Sequence, residues 1–589
     1  MVFIKDAKKE FLDQIINKRV LVFVHLDVDA LCSWKILQHL LHCEHILYSV
    51  IPINSKQALE DAYNQHKQVA NNIILINCGA TLDLVEILQP PEETIFYLID
   101  SLRPLEVRNV YNGIQIKIIV LQNELGIEQK LVPEYEDIFD EEEENDEENE
   151  EEEDGDENLD EEEPERNRSK RKRFDPEYLE KMHAKREWES KRSKILFEYY
   201  KYTYHRCSSS LVLFDLAWKS AKDNNDLLWW SIIGLTEQLI NCKIDRDIYT
   251  RYVVELNSHV LRHNHRPAVN ALGTSNTNPA PDDVSINCLK ISHLDDLNMV
   301  LLRHWSILES IYHSIDLACL FKMWTNKGKK KLNEFLADLG LPLNECKQKF
   351  AYMDSSFKND FKMLVASENI KEKYRYDENF IYLSTFIASF GYTNKLTAFD
   401  MAYAVEALME NVDGEKNLSD KFIEALNCLN RENLKALECG IETAKNHLKK
   451  IYQQIQNFID MNQIVASGPF LQVFLEEGSN ENPFFSQIFT SKKLARFALQ
   501  SYLALTKGKK VRNMPLIVCI PLNESNTLIA GVPPYRATNN TENCFGLAFD
   551  EAAEKTKSRV NFSYFDTSII EINNEDKSKF LDALVAVMQ

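Results

Sequence analysis

The sequence predicts an α/β protein: a parallel sheet wound with helices, carrying an acidic insert and an inserted all-helical region, followed by a further α/β domain. Three observations predict it. Between residues 20 and 120 short, unbroken apolar runs alternate with helical stretches; from about 290 to 410 helical spacing continues without such runs; beyond 460 the runs return. At 589 residues the chain is also too long for one core, since single cores stop growing at roughly 250 to 300 residues.

In the first region the runs are "VLVFV", "YSVIPI", "NIILIN", "TIFYLID" and "IQIKIIV", with "LCSWKILQHLLH" and "TLDLVEIL" as helices between them. Strands that read as near-continuous Val, Ile and Leu are buried on both faces, the mark of a parallel sheet covered by helices. Ligands of such sheets sit beyond the carboxyl ends of the strands. That rule gathers Asp27, Asp29, Asn77 and Asp100 at one rim, because each follows a strand. Residues 209 to 240 hold two apolar helical stretches that return to the sheet; Trp229 and Trp230 lie in the second and read as core.

The formal net charge of −23 resides in one place. Residues 134 to 165 hold 23 Asp plus Glu and no Lys or Arg; without them 68 acidic residues remain, equal to the 68 Lys plus Arg. This low-complexity acid cannot bury enough apolar surface to offset its ordering entropy and is expected to be disordered. The excess therefore does not exclude a nucleic-acid site elsewhere. The basic run from Arg166 to Arg173, with Lys170, Arg171, Lys172 and Arg173 at its centre, suits a nuclear import receptor; the plainer reading is a solvated run balancing its acidic neighbour.

The expected divisions are 1–133 and 174–289 for the two parts of the first domain, 134–173 for the acidic then basic insert, 290–410 for the helical region, and 411–589 for linking helices and the C-terminal domain. In the helical region, Leu332, Phe335, Leu336 and Leu339 form a stripe at spacings of three and four, core by default and an interface only if exposed. The twelve cysteines include no CxxC pair, which predicts neither a zinc ribbon nor a disulfide framework. No apolar run approaches the roughly 20 residues of a membrane helix, and the N-terminus lacks a signal-peptide core, so a soluble intracellular protein is expected. No Walker loop is present, and no cofactor is expected.

Two carboxylates one residue apart at a strand end can chelate a hard divalent cation, and His25 could add a nitrogen. The plainer reading is a helix cap, with Asp29 accepting from backbone N–H groups. The strand followed by "HLDVDALCSWKIL" resembles the first motif of the DHH phosphoesterases, the superfamily of the RecJ single-strand exonuclease. The later rim positions match in turn, with departures. The resemblance implies an aspartate where "ILINCGA" has Asn77. It implies Asp-His-His where "LIDSLRP" has Asp100, Ser101 and Leu102. It implies a last carboxylate where "GLTEQ" has Gln238. A two-metal phosphoesterase needs several carboxylates and imidazoles to hold both ions and generate hydroxide. The expectation is thus no catalytic residue and no metal, or at most one weakly held ion at Asp27, Asp29 and Asp100.

"DVDALCSWKIL", "LWWSIIGLTEQ", "KKLNEFLADLGLPLNECKQKF" and "NCFGLAFDEAAEKTKSR", with the acidic insert, resemble more narrowly the cell division control protein 45 family of eukaryotic replication-initiation factors. That resemblance implies a DHH domain, an inserted helical domain and a C-terminal DHHA1-like domain. It implies a nuclear, chromatin-associated, non-catalytic scaffold joining the MCM hexamer and the GINS tetramer in the CMG helicase, beside DNA polymerase and other fork factors. A Gly-Gly-His-like substrate loop of active nucleases is missing between 460 and 589. The alternative is a metal-dependent single-strand DNA exonuclease. Candidate contacts to single-stranded DNA are Arg262 and Arg266 in "RHNHR", and Lys327, Lys329, Lys330 and Lys331 in "KMWTNKGKKK", which also holds Trp324. The plainer reading of both is a solvated surface.

Overall fold

A computed structural model describes residues 2–139, 176–265, 289–376, 382–390, 394–412, 416–506, 508, 511–535 and 541–589. The five expected strands form one all-parallel sheet. They are β1 (Val20–His25), β2 (Tyr48–Ile53), β3 (Asn72–Ile76), β4 (Ile95–Ile99) and β5 (Ile116–Ile118), in the order β2-β1-β3-β4-β5. Strand order reverses between β1 and β3, so the chain ends leaving these two strands flank the switch point where such sheets bind ligands. Alternate β1 residues serve different cores: Val20, Val22 and Val24 face one, Leu21 and Phe23 the other. This two-sided burial is why the run carries no polar residue.

The first of these cores is built with α1 (Val28–Cys43), α2 (Ser209–Lys219), α3 (Asn225–Ile240) and α4 (Arg246–His265). Each of the first three starts on a side-chain cap: Asp27 accepts from Ala30 N–H, Ser208 from Leu211 N–H and Asn224 from Leu227 N–H.

Two expectations are corrected. Disorder was expected from residue 134, yet Glu134 to Phe139 are ordered, with a short turn of helix at Tyr135–Asp137. Phe139 stacks on Tyr135 at 4.9 Å, and both rings meet Tyr111, so aromatic anchors hold the chain before the purely acidic run begins. The rest of the insert, including the basic run, lies outside the described residues.

The stretch from 290 to 410 is also not all helix. It opens with β6 (Leu289–Leu297), which pairs antiparallel with β7 (Tyr382–Phe390), itself paired with β8 (Asn394–Thr397). These strands and the following helix, α5 (Ala398–Met409), belong largely to the first core through Leu289, Ile291, Phe386, Leu396 and Met401. The signal in "YLSTFIASF" was its β-branched and aromatic content. In "LKISHLDDL" five polar or charged side chains masked the strand. Between β6 and β7 the chain is helical, and Leu332, Phe335, Leu336 and Leu339 are each 1% exposed. The stripe is therefore core. Trp324 joins the same core, so it is no stacking platform.

The long helix α6 (Leu434–Asp460) leads to a mixed six-stranded sheet. Its strands are β9 (Val465–Ser467), β10 (Phe470–Phe474), β11 (Leu516–Pro521), β12 (Asn526–Val532), β13 (Val560–Asn561) and β14 (Ile569–Asn573), ordered β9-β10-β11-β12-β14-β13. Helix α7 (Ile488–Leu505) covers one face. That face and the inserted helices share a continuous core, with Phe321 and Phe335 in the same cluster as Leu494 and Val518. Among the described residues no helix is long and apolar enough to cross a membrane.

Phe335 is packed by the rings of Phe321 at 5.1 Å and Tyr374 at 4.9 Å. Phe335→Ala is expected to cost about 3–5 kcal/mol. Hydrogen exchange would register it as early loss of amide protection over Asn326–Asp338, whereas unchanged protection there would show that the stripe is not core.

Candidate functional site

The rim is assembled from the ends of β1, β3 and β4 and the starts of α1 and α2. Asp27 caps α1, its Oδ1 accepting from Ala30 N–H at 2.6 Å, while Oδ2 lies 2.8 Å from His25 Nδ1. The capping role thus falls to Asp27, two residues before the aspartate expected to fill it. Asp29 instead accepts from Ser209 N–H at 2.8 Å and Ser210 N–H at 3.1 Å, the opening amides of α2. Asn77, held at φ 55°, turns its amide between the two carboxylates. Its Nδ2 is 3.3 Å from both oxygens of Asp27 and from Asp29 Oδ2, and its Oδ1 accepts from Ser209 Oγ at 2.5 Å. Asp100 accepts from Leu102 N–H at 2.9 Å, and from Gly79 and Ala80 N–H at 3.3 and 3.1 Å. All six oxygens of the three aspartates therefore face N–H groups of this chain.

Helix α3 closes over this arrangement because residue 234 is glycine. A Cβ there would lie 2.2 Å from Ser210 Oγ and 2.6 Å from Asp29 Oδ1. One turn on, Glu237 is buried and ion-paired to Lys243 at 2.9 Å, and Asn241 Nδ2 bonds its Oε1 at 2.7 Å. Gln238 is buried in the same turn; neither its Nε2 nor its Oε1 has a hydrogen-bond partner among the described residues. The side chain that joins the rim's charges is thus its neighbour Glu237. Ser101 is buried, and its carbonyl accepts from Arg206 N–H at 2.8 Å. Leu102 pairs with His205 in a short antiparallel bridge, which brings an imidazole from another part of the chain to the end of β4.

The charges are mutually dependent. Burial would raise the Asp27 carboxyl, but the Lys243 ammonium and the His25 bond outweigh it and hold the group well below the usual range. Burial and the Asp27 charge push Asp29 up. Burial lifts Glu237 to about 7 against the pull of Lys243. His205 is pushed down to about 3 by burial and by Lys243, which keeps it neutral. Against the outer side of the rim stands the C-terminal domain: the Phe565 ring meets the His25 ring edge-on at 5.2 Å, and Asp566 pairs with Lys492.

This rim sits in a chain whose relatives are identifiable. The family model described as CDC45 matches residues 20–587. The chain belongs to the CDC45 family. Cell division control protein 45 homologs from Mus musculus and Homo sapiens are 41% and 40% identical to it, each alignment covering 100% of both chains. The crystal structure of CDC45 from Entamoeba histolytica superposes with a TM-score of 0.67 at 20% identity, covering 100% of this chain and 99% of that one, which shows the fold.

The remaining candidates of this CDC45 family member are scattered. The Arg262 guanidinium pairs with Asp223 and lies 5.5 Å over the Trp218 ring, so it is internally engaged. Arg266 and the run Lys170 to Arg173 lie outside the described residues. Lys327, Lys329 and Lys330 are exposed on the helix Asn326–Asp338. Lys331 turns inward, its Nζ 5.6 Å from the Phe321 ring and 5.8 Å from that of Tyr374. Trp229 is buried; Trp230 is half-buried, under the Lys35 ammonium. The residues that sequence reasoning missed are Ser209, Ser210, Glu237, Lys243 and His205. The serines carried a signal as part of the Ser208–Ser210 run that opens an apolar helix, with Ser208 as its cap; the other three carried none, because only the tertiary fold brings them to the aspartates. Among the described residues no group of three or more His, Cys, Asp or Glu is placed to hold a metal ion.

Asp29→Ala strands the Ser209 and Ser210 amides in the interior. The expected loss is about 2–4 kcal/mol, read as a lower denaturation midpoint in urea. A variant that unfolds with wild type would mean those amides find other partners.

Proposed function

We propose that this protein is a non-catalytic DNA replication factor, a nuclear, chromatin-associated scaffold that joins the MCM hexamer to the GINS tetramer in the CMG helicase. Membership of the CDC45 family supports the replication role. The observation that carries the non-catalytic part is the occupation of the rim: six aspartate oxygens are engaged by backbone amides, Asn77 and His25. A hydrolytic metal centre needs carboxylate lone pairs free for the ions and an open position for water. This donor set does not fit one.

The inserted helices are the surface we assign to MCM. Their apolar stripe is used internally, but Tyr352 and Met363 stand out at 77% and 66% exposure. These two exposed side chains are the ones we test for that contact. Single-stranded DNA is assigned to the lysine face at Lys327, Lys329 and Lys330, where contacts to phosphate would weaken steeply with salt. The remaining surfaces, other than these two, are left for GINS and the polymerase.

Two experiments test this reading. Purified full-length protein is expected to release no nucleotide from 5′-labelled single-stranded DNA in Mn²⁺ or Mg²⁺. Turnover that disappears in an Asp27→Ala, Asp29→Ala variant would establish the exonuclease alternative instead. A Tyr352→Ala, Met363→Glu variant is expected to fold as wild type by circular dichroism and to recover much less MCM in co-purification. Undiminished recovery would refute the assignment of that surface.

A further inference from the structure

Three carboxylates, Asp27, Asp29 and Glu237, converge under the carboxyl edge of the first sheet at 3%, 0% and 0% exposure. Buried carboxylates require compensating positive charge, and a site of this kind in a hydrolytic enzyme obtains it from a metal ion. Here the chain carries its own. The ammonium of Lys243 is 2.9 Å from Glu237 Oε1, on a side chain only 14% exposed.

The backbone leaves Lys243 little freedom to be elsewhere. Helix α3 ends in paired reverse bonds, Cys242 N–H to the Leu239 carbonyl at 3.0 Å and Lys243 N–H to the Gln238 carbonyl at 2.8 Å, with Cys242 in the left-handed region at φ 49°. This turn sends the chain back along the helix and sets the lysine beside Glu237, one turn before the end. The Phe489 ring, from the C-terminal domain, lies 5.4 Å from the ammonium on another side. The reach of the charge extends past Glu237: it is the largest influence lowering the Asp27 carboxyl, and Asp29 in turn helps to hold the lysine protonated.

We infer that Lys243 is the resident cation of the rim, a tethered ammonium that balances Asp27, Asp29 and Glu237 in place of a metal ion. The role is independent of which partners the protein holds. A covalently attached charge is always present, so the fold around the rim does not depend on divalent ions.

The test uses the full-length chain and its thermal unfolding midpoint. Lys243→Met removes the charge and keeps the length, and a fall of more than about 5 °C is expected. Two double variants divide the credit: Glu237→Gln with Lys243→Met, and Asp27→Asn with Lys243→Met, the asparagine retaining the helix cap. Both are expected to recover part of the loss, because each removes a carboxylate left without its cation. Recovery by the Glu237 pair alone would reduce Lys243 to a local ion-pair partner and overturn the inference. So would a Lys243→Met protein that melts with wild type. If the single variant is insoluble, the Asp27→Asn double decides alone, soluble in support and insoluble against. Wild type is expected to melt identically in EDTA and in millimolar MnCl₂; a midpoint raised by Mn²⁺ in wild type but not in Asp27→Asn would show that the rim takes a metal with the lysine in place.

Discussion

The acceptance of two backbone amides by the Asp29 carboxylate joins parts of the chain that are 180 residues apart. Asp29 belongs to the first turn of α1, directly after the first strand, whereas Ser209 and Ser210 open α2 beyond the acidic insert. Through this contact the second half of the domain is seated on the carboxyl edge of the sheet. Asn77 bridges to Asp27 and Ser209, and Gly234 lets α3 approach to where any side chain would collide. Hydrogen bonds to a buried carboxylate are stronger than those between neutral groups. They also tolerate no substitute that lacks lone pairs, so the residues that make them are tied together.

From the rim a polar network runs toward the C-terminal domain. Asn241 bonds both Glu237 and Glu406, and Glu406 pairs with Lys493 on α7. Glu410 accepts from Phe489 N–H at 2.6 Å and from Thr490 Oγ1 at 2.8 Å, capping the start of the same helix. Burial and the neighbouring Glu406 charge raise Glu410 to about 8. Burying this many ionisable groups is expensive, and ion pairs of this kind add little net stability. What they do provide is geometry, because each group is satisfied in only one arrangement of the two domains.

The inserted helices are placed by a different device. β6 and β7 pair along nine residues from Leu289↔Phe390 to Leu297↔Tyr382, forming a ribbon whose base lies in the first core and whose tip reaches the second. The helices it carries pack against the C-terminal sheet and share its core. Such shared cores fix the separation of the surfaces they carry, whereas domains joined only by linkers move relative to one another.

The sequence by itself determined the parallel sheet, the helices that cover it, and the single rim on which Asp27, Asp29, Asn77 and Asp100 stand. Apolar runs with a strand period and the rule for strand ends are local properties. It also led to the expectation that Ser101 and Leu102 depart from a hydrolytic motif, since residue type is legible without coordinates. The strands bounding the inserted helices were hidden because β6 carries polar side chains wherever one face meets solvent. The inward turn of Lys331, the burial of Trp324 and the internal pairing of Arg262 were equally hidden, because the same basic or aromatic segment can face water or core. Only the tertiary structure decided that Glu237, Lys243 and His205 share the rim with the aspartates. Electrostatic compensation acts through space at a few ångströms, and no spacing along the chain records which distant cation a buried carboxylate will meet.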